Sequence, residues 1–214
     1  MRTPRPLSSL PSPRRRLLIG TAAAIALPAL CTPGRAQARR MPTPSQTEGP
    51  VYPLELPANR DADLLVQGER RYPHGEPAWL EGTLTDIAGR PLGGAVVEIW
   101  QCDHAGRYHH PGDGGGADAD FQGFGRMPVD ADGRYRFRTI KPVPYTGRTP
   151  HIHLKVRQGM RELLTTQIYV AGEPRNARDG LWRRLSAAER EALTVPFTPG
   201  DNGLRARFPI VVAA

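Results

Sequence analysis

Residues 151–170, HIHLKVRQGMRELLTTQIYV, decide the fold because they predict a β-hairpin. Residues 151–157 and 163–170 are two short runs rich in β-branched and aliphatic side chains, and the polar segment between them contains a glycine. Two such runs around a short glycine-containing segment are typical of antiparallel strands. We take residues 158–162 as the loop that joins them.

The first of these strands carries two histidines on one face. Side chains at i and i+2 of a strand point the same way, so His151 and His153 project together. Ile152, Leu154 and Val156 point to the opposite face and are predicted to enter a core. Two histidines on one strand face can ligate a metal ion, and an ordinary hydrogen-bonded pair explains the pattern equally well at this stage.

The hairpin register puts further polar groups beside the histidines. The predicted loop pairs Arg157 with Leu163, His153 with Gln167, and His151 with Tyr169. Thr165, Gln167 and Tyr169 therefore share the histidine face, provided that the register does not slip by one residue. A glutamine beside a metal could hydrogen-bond a bound substrate, whereas a solvated polar strand face is the alternative.

The chain beyond residue 78 has the same texture of short strands and Gly/Pro turns. Further strands are predicted at residues 79–85, 95–100, 134–140 and 205–212. Ser186 and Glu189 form a capping-box signature for one short helix that ends near Leu193. Residues 39–78 are rich in Pro, Asp and Arg and predict an extended arm. The fold class is therefore mostly β, an antiparallel β-sandwich with one short helix and an extended N-terminal arm.

The N-terminal residues are typical of a signal peptide. Three arginines at 14–16 precede an apolar run at 17–30, and Ala36-Gln-Ala38 supplies a small-residue cleavage site. The run is shorter than the roughly 20 residues that a transmembrane helix needs. Paired arginines before a weak, Ala-rich run favour the twin-arginine export route over an ordinary secretory signal. We expect an exported protein, periplasmic or extracellular, with no stable membrane insertion after cleavage. The predicted organisation is a signal peptide at 1–38, the arm at 39–78 and a β-sandwich domain at 79–214.

The positive charge of the chain is concentrated in this leader. The whole chain has a formal net charge of +8, whereas the residues after the leader carry a net charge of +2. A nucleic-acid-binding protein would show a basic surface in its folded part, so no nucleic-acid partner is expected. Cys102 is the only cysteine after the leader, which excludes an intramolecular disulfide in the mature chain.

Two tyrosines lie in loops next to the predicted strands. Tyr108 follows the strand at 95–100, and Tyr145 lies shortly before His151. A phenolate oxygen is a hard anionic donor that favours Fe(III) over Fe(II), although a single loop tyrosine is more often a packed aromatic. The pattern alone leaves both accounts open.

Three stretches of the chain form an ordered set of motifs. They are TEGP at 47–50, GRPLGGAVVEIWQCD at 89–103 followed by Gly106 and Tyr108, and PYTGRTPHIH at 144–153. Together they resemble the intradiol ring-cleavage dioxygenases, the family of protocatechuate 3,4-dioxygenase and catechol 1,2-dioxygenase. The resemblance spans residues 46–212 and implies that the β-sandwich is a catalytic domain.

The resemblance also implies a mononuclear non-haem Fe(III) enzyme with four protein ligands. The matching ligand positions are Tyr108, Tyr145, His151 and His153. The family's substrate-side arginine and glutamine match Arg148 and Gln167, and Tyr145 is also expected to help take a substrate proton. The implied reaction uses O2 to open a catechol-type ring between its hydroxyls, which gives a muconate-type diacid.

Some features stay without an assignment. Only five residues separate Tyr145 from His151, where better-known members carry a longer insertion, so the particular catechol stays open. The sequence is compatible with a homo-oligomer but does not establish the oligomeric state. The roles of the 111–120 Gly/Asp loop and of His104, His109 and His110 also stay open. The residues admit two other classes of protein: a metal-free β-sandwich binding module, and a zinc or copper protein that uses the two histidines.

Overall fold

The computed structural model describes Met1 and residues 40–214, so the predicted signal peptide lies outside the described residues apart from Met1. Within residues 40–214, no helix is long and apolar enough to cross a membrane. The strands of this part are β1 (Val66–Gln67), β2 (Arg70–Arg71), β3 (Pro77–Asp86), β4 (Val96–Trp100), β5 (Phe124–Pro128), β6 (Arg134–Ile140), β7 (His151–Gln158), β8 (Arg161–Val170), β9 (Thr194–Val195), β10 (Thr198–Gly200), β11 (Gly203–Arg207) and β12 (Ile210–Val212). The helices are α1 (Gly180–Arg184) and α2 (Ala187–Leu193), with 3-10 turns at Pro111–Asp113 and Pro174–Arg178.

Among the described residues, two five-stranded sheets face each other across one core. The site sheet has the order β5-β4-β7-β8-β9, and the second sheet has the order β10-β11-β3-β12 with β6 also paired to β3. Fully buried apolar side chains from both sheets form one cluster, which includes Ile99, Ile152, Leu154, Leu80 and Phe137. The predicted mostly-β sandwich and the inward apolar face of β7 are confirmed.

The prediction that the pairing is antiparallel is only partly right, because both sheets are mixed. β11 and β12 run parallel to β3, and β9 runs parallel to β8. The predicted single strand at 205–212 is two strands, since Pro209 has no N–H to continue a ladder. β11 and β12 pair with successive parts of the ten-residue β3, so the end of the chain follows β3 in its own direction.

The hairpin of β7 and β8 confirms the predicted pairing at the histidines. His151 faces Tyr169, and His153 faces Gln167. These four side chains and Thr165 on the same face are all buried. A solvated polar strand face, the alternative that the sequence left open, is therefore excluded.

The turn of this hairpin differs from the prediction. Arg157 pairs with Glu162 rather than with Leu163, because the turn is shorter than the predicted five-residue loop. Gly159 supplies a left-handed conformation with φ +58°, which lets the chain reverse quickly. A bulge between Val156 and Arg157 then restores the predicted register toward the histidines.

Residues 40–214 contain two short helices where the sequence predicted one. The predicted capping box of α2 is confirmed: Ser186 Oγ accepts from the Glu189 N–H at 3.3 Å, and Glu189 accepts from the Ser186 N–H at 2.7 Å. The missed helix, α1, has only five residues, too few for an apolar period to show. Asp179 caps α1 by accepting from the N–H groups of Leu181 and Trp182.

Residues 40–49, which we call the arm segment, contain no helix or strand and run from the second sheet, where the Thr43 N–H donates to the Val211 carbonyl at 2.8 Å, to the site sheet. The Gln46 N–H donates to the Thr165 carbonyl at 2.8 Å, and Thr166 Oγ1 donates to the Pro44 carbonyl at 2.7 Å. Farther along, the predicted arm contains the small hairpin of β1 and β2. The domain boundary at residue 79 stays a prediction.

Candidate metal centre

The four predicted ligands come together at one end of the site sheet. His151 and His153 lie at the start of β7, Tyr108 lies in the loop after β4, and Tyr145 lies in the loop before β7. Ring centroids are 4.7 Å apart for the histidines, 4.9 Å for the tyrosines, 5.6 Å for Tyr145 and His151, and 6.1 Å for Tyr108 and His153. These side chains form a closed cycle of contacts, which we call the ligand ring.

The two imidazoles of the ligand ring present their Nε2 atoms to each other at 3.2 Å. His151 Nδ1 lies 2.6 Å from the Thr149 carbonyl, an acceptor, so Nδ1 carries the proton and Nε2 keeps its lone pair. Burial and the nearby Arg148 charge lower the pKa of His151 to about 4. Burial, followed by the charges of His151 and Arg148, lowers the pKa of His153 well below its usual range. Both rings are therefore neutral at neutral pH, the form that binds metals.

The two tyrosines differ in depth. Tyr108 is 2% exposed, and its hydroxyl is buried without a hydrogen-bond partner among the described residues. Burial raises the pKa of Tyr108 well above its usual value. A buried hydroxyl with no partner costs about 1–3 kcal/mol, so this position indicates a partner of another kind. Tyr145 is only partly buried, and burial raises its pKa as well.

This set of donors fits Fe(III). Within residues 40–214, no group of three or more His, Cys, Asp and Glu side chains could hold a metal ion, so a metal at the ligand ring depends on tyrosine oxygen. Two phenol oxygens and two neutral imidazole nitrogens combine hard anionic donors with donors that suit iron. A trivalent cation beside Tyr108 would give its oxygen a partner and favour the phenolate against the effect of burial.

Two carboxylates hold the loop that carries Tyr108. Asp113 Oδ2 accepts from the Tyr108 N–H at 2.7 Å. Asp103 Oδ1 accepts from two backbone N–H groups of the same loop at 2.9 Å each, and its Oδ2 accepts from the Asp118 N–H at 2.8 Å. The 111–120 Gly/Asp loop, which had no assigned role, therefore helps to position Tyr108.

Gly106 allows the two tyrosine loops to meet. Its φ is +74°, and a Cβ at this position would lie 2.8 Å from the Pro144 carbonyl oxygen. Glycine tolerates both the left-handed conformation and the close approach. The residue before Tyr145 can therefore contact the Tyr108 loop, and the two phenol rings pack edge to face at an interplanar angle of 73°.

Arg148 and Gln167 lie beside the ligand ring and are hydrogen-bonded to each other. Arg148 Nη2 donates to Gln167 Oε1 at 2.7 Å, and Arg148 Nε donates to Asp179 Oδ2 at 2.7 Å. Gln167 Nε2 in turn donates to the Thr47 carbonyl of the arm segment at 3.0 Å. Asp179 is 1% exposed, so a buried carboxylate fixes the orientation of the guanidinium.

Two residues beside the ligand ring received no role from the sequence. Asp179 could have been found only as a helix cap, and its helix was not predicted. Trp100, although part of a family motif, lies parallel to His153 with centroids 4.8 Å apart and an interplanar angle of 7°. His153 Nδ1 is buried without a hydrogen-bond partner among the described residues. The Trp100 ring therefore orients His153, as the hydrogen bond to the Thr149 carbonyl orients His151.

The three histidines left unassigned by the sequence are engaged outside the ligand ring. Their ring nitrogens contact loop groups: His104 the Tyr72 hydroxyl at 2.6 Å, His109 the Phe121 carbonyl at 2.6 Å, and His110 the Gly112 N–H at 3.0 Å. His109 and His110 therefore bind groups of their own loop, and His104 joins that loop to Tyr72, which follows β2.

In the described part of the chain, residues of the ligand ring line two cavities. One of about 400 Å³ is lined by Trp100 and Tyr108, and one of about 370 Å³, the Tyr145 cavity, is lined by Tyr145 and Arg148. Both volumes fall within the range of small-molecule sites, about 300–1,000 Å³. A larger cavity of about 850 Å³ lies at the second sheet and contains no predicted site residue. Two residues that the sequence predicted to act on the substrate, Tyr145 and Arg148, line the Tyr145 cavity.

Sequence comparisons identify relatives of the whole domain. A family model described as dioxygenase matches residues 47–198. The chain is 36% identical over 178 residues to the protocatechuate 3,4-dioxygenase beta chain of Burkholderia cepacia, with 76% of each chain covered. It is 31% identical over 190 residues to catechol 1,2-dioxygenase 1 of Acinetobacter lwoffii, with 75% of this chain and 55% of that protein covered. The chain thus spans about half the length of the catechol and hydroxyquinol dioxygenases that it matches.

Solved structures show the same fold. The dioxygenase domain of a dioxygenase carbohydrate-binding protein fusion from Streptomyces sp. SirexAA-E matches with a TM-score of 0.64 and 33% identity, covering 80% of this chain and 97% of that one. The intradiol ring-cleavage dioxygenase of Tetranychus urticae matches in fold with a TM-score of 0.66 at 20% identity, covering 81% of this chain and 94% of that one. The family match, the sequence relatives and the fold agree, and the chain belongs to the intradiol ring-cleavage dioxygenases.

Proposed function

We propose that this protein uses one non-haem Fe(III) and O2 to open a catechol-type ring between its two hydroxyls, which gives a muconate-type diacid. The observation that carries the proposal is the ligand ring of two phenols and two neutral imidazoles, with Arg148 at its edge. Proteins of this family use mononuclear non-haem Fe(III). The donor set and the buried, unpaired Tyr108 hydroxyl fit that ion.

The two tyrosines take different parts in this scheme. Tyr108 is buried and its loop is fixed by carboxylates, so it would remain a ligand throughout, together with both histidines. Tyr145 lines the cavity and is only partly buried, so its phenol oxygen can move aside and accept a proton from the incoming diol. Fe(III), when bound, withdraws electron density from the diol and makes its ring reactive toward O2.

Arg148 supplies a fixed positive charge beside the substrate. Its side chain is 20% exposed, and Asp179 holds it by Nε while Gln167 accepts from Nη2. A guanidinium that needs no rearrangement stabilises negative charge that develops on the ring during the reaction. Its effect is therefore larger in the transition state than in the bound substrate. Gln167, held by the arm segment, orients the guanidinium and the substrate on the same face.

Oxygen uptake with product identification tests the proposal. Purified protein loaded with iron is offered a panel of catechols, and the oxygen consumed and the product formed are measured. We expect one O2 consumed per diol and an acyclic diacid with two more oxygen atoms than the substrate. A ring opened beside the hydroxyls, or no uptake with any diol, would overturn the proposed activity.

The two other classes raised by the sequence have less support. A metal-free binding module explains the sandwich but leaves the buried Tyr108 hydroxyl without a hydrogen-bond partner among the described residues. A zinc or copper site at His151 and His153 would need a third ligand, and within residues 40–214 no group of three or more His, Cys, Asp and Glu side chains could hold a metal ion. The family match to dioxygenases favours neither class.

We also propose that the protein reaches the periplasm or the exterior through the twin-arginine route. The support is Arg14-Arg15 before a short Ala-rich apolar run, together with a metal centre that can be assembled before export. The variant with both arginines replaced by lysine is expected to accumulate as cytoplasmic precursor. Export at the normal level by this variant would contradict the proposal.

A further inference from the structure

The Tyr145 cavity has a second group of arginines besides Arg148. Residues of the Tyr145 loop line the cavity together with Arg175 and Arg178 from the 3-10 turn. Side chains three residues apart in such a turn lie on the same side, so both guanidinium groups can face the cavity together. No acidic side chain among the described residues lines this cavity.

The 3-10 turn is fixed to the backbone beside the ligand ring. Asn176, buried within the turn, accepts from Thr149 Oγ1 at 2.7 Å and donates to the Val170 carbonyl at 2.8 Å. Thr149 lies two residues before His151, and Val170 ends β8. The roots of Arg175 and Arg178 are therefore held at a constant place relative to the ligand ring, although their side chains reach solvent.

The charges around the cavity do not cancel. Arg148 is paired with the buried Asp179 at 2.7 Å, and Arg175 lies 3.6 Å from Glu173. Arg178 forms no ion pair with any of the described residues. The cavity wall therefore keeps a net positive charge, and exposed guanidinium groups are left to interact with a ligand.

We propose that Arg175 and Arg178 form a subsite for a carboxylate, so that the preferred diol carries an anionic substituent on its ring. The inference rests on the proposed function and narrows its substrate class. A guanidinium binds a carboxylate through two parallel hydrogen bonds, which fixes the orientation of the ring as well as its affinity. The diol end then faces the ligand ring while the carboxylate faces the 3-10 turn.

The test compares two diols of similar size, 3,4-dihydroxybenzoate and 4-methylcatechol, in the iron-loaded enzyme. We expect KM to be at least about tenfold lower for the carboxylated diol. In the double variant Arg175→Gln/Arg178→Gln, the ratio of the two KM values is expected to collapse toward one. The matched control is Arg183→Gln/Arg184→Gln, which removes two exposed arginines of α1 that do not line the cavity. If charge at the cavity, rather than the overall charge of the protein, causes the lower KM for the carboxylated diol, the control variant should keep that lower KM.

A binding measurement separates this inference from the proposed function. Calorimetry with 4-hydroxybenzoate and 4-methylphenol, which lack a second hydroxyl, reports the subsite without turnover. If no diol is consumed but 4-hydroxybenzoate binds about tenfold more weakly to the Arg175/Arg178 variant, the activity is overturned and the subsite stands. If diols are consumed and the wild type prefers 4-methylcatechol, or both double variants keep the same preference, the subsite is overturned and the activity stands.

Discussion

The histidine half and the tyrosine half of the ligand ring are built in different ways. His151 and His153 alternate on one strand that is hydrogen-bonded to β4 on one side and to β8 on the other, and both are 1% exposed. Tyr108 and Tyr145 lie on separate loops that meet where Gly106 approaches Pro144. The geometry of the first half follows from strand register, and that of the second half follows from tertiary contacts between loops.

Because of this difference, the two halves of the ligand ring should respond differently to substitutions. The backbone of a strand between two partners cannot shift without breaking its ladders, so the backbone positions of both histidines are fixed before any metal binds. Loops have fewer such constraints, and one of the tyrosines is proposed to leave the metal in each cycle. Substitutions in the two halves should therefore produce separable defects.

The largest effect is expected from breaking the histidine half. His153→Ala removes a neutral nitrogen donor without disturbing the β7 ladder, which runs through the backbone. Iron affinity should fall by more than about 100-fold, because even residues that only orient a ligand change metal affinity by about 10–100-fold. Iron content after dialysis against a chelator measures the effect. Full retention of iron would show that His153 is not a ligand.

The next largest effect is expected from removing the positive charge of Arg148, which lies beside the ligand ring. Arg148→Ala should lower kcat by about two to three orders of magnitude, the usual result of removing a group that stabilises transition-state charge. KM should change far less, and iron should stay bound, because Arg148 is not in the ligand ring. Steady-state kinetics and metal analysis on one preparation make the comparison.

Arg183→Ala is the control for this variant, since that exposed arginine lies outside the cavity. Normal turnover by Arg148→Ala would show that Arg148 has no catalytic role and is only a structural residue of the loop before β7. Loss of iron would show instead that its pairing with Asp179 supports the histidine strand.

A smaller effect is expected within the histidine half from Trp100→Leu. His153 has no hydrogen bond at Nδ1 among the described residues and relies on the parallel Trp100 ring. Loss of the stack should lower iron affinity by about 10–100-fold, as for other groups that orient a metal-bound histidine. Trp100→Phe, which keeps an aromatic face, should recover most of the affinity in the same chelator competition. Equal loss in both variants would mean that bulk, not stacking, matters.

The smallest effect is expected from Gly106→Ala in the tyrosine half. Alanine there adopts a left-handed conformation and its Cβ meets the Pro144 carbonyl at 2.8 Å. The left-handed conformation alone costs about 1–3 kcal/mol of unfolding free energy. The contact should also push the Tyr145 loop away, which weakens iron binding while the hairpin stays intact.

Gly94→Ala is a matched control, because Gly94 lies before β4, outside both tyrosine loops, has φ +79°, and a Cβ added there would meet no other atom within 4 Å. In denaturant titrations the control should lose only the unfolding free energy of the left-handed conformation, and Gly106→Ala should lose at least as much. Only Gly106→Ala should lose iron affinity. Equal iron affinity in the two variants would show that the contact between Gly106 and the Pro144 carbonyl does not support the metal centre.

The same contrast explains what the sequence could and could not predict. The shared face of His151 and His153 and their pairing with Tyr169 and Gln167 followed from alternation, which needs no distant information. The turn length and the bulge at Val156 did not follow, because one inserted residue leaves the alternation on either side unchanged.

The tyrosine half could not be assembled from the residues alone. Nothing local joins Tyr108 to Tyr145, because their loops are distant in sequence and meet where Gly106 approaches the Pro144 carbonyl. The resemblance to a family supplied that pairing, and the structure places the two rings 4.9 Å apart. Asp179 was missed for the same reason, since its partner Arg148 is 31 residues away in sequence.

The visible absorption spectrum of the purified, iron-loaded protein tests the central claim most directly. If Tyr108 and Tyr145 bind Fe(III) as phenolates, charge transfer from tyrosinate to iron should make the protein reddish, and Tyr108→Phe should shift or abolish the band. A colourless protein that contains stoichiometric zinc, or a band unchanged in Tyr108→Phe, would contradict the account.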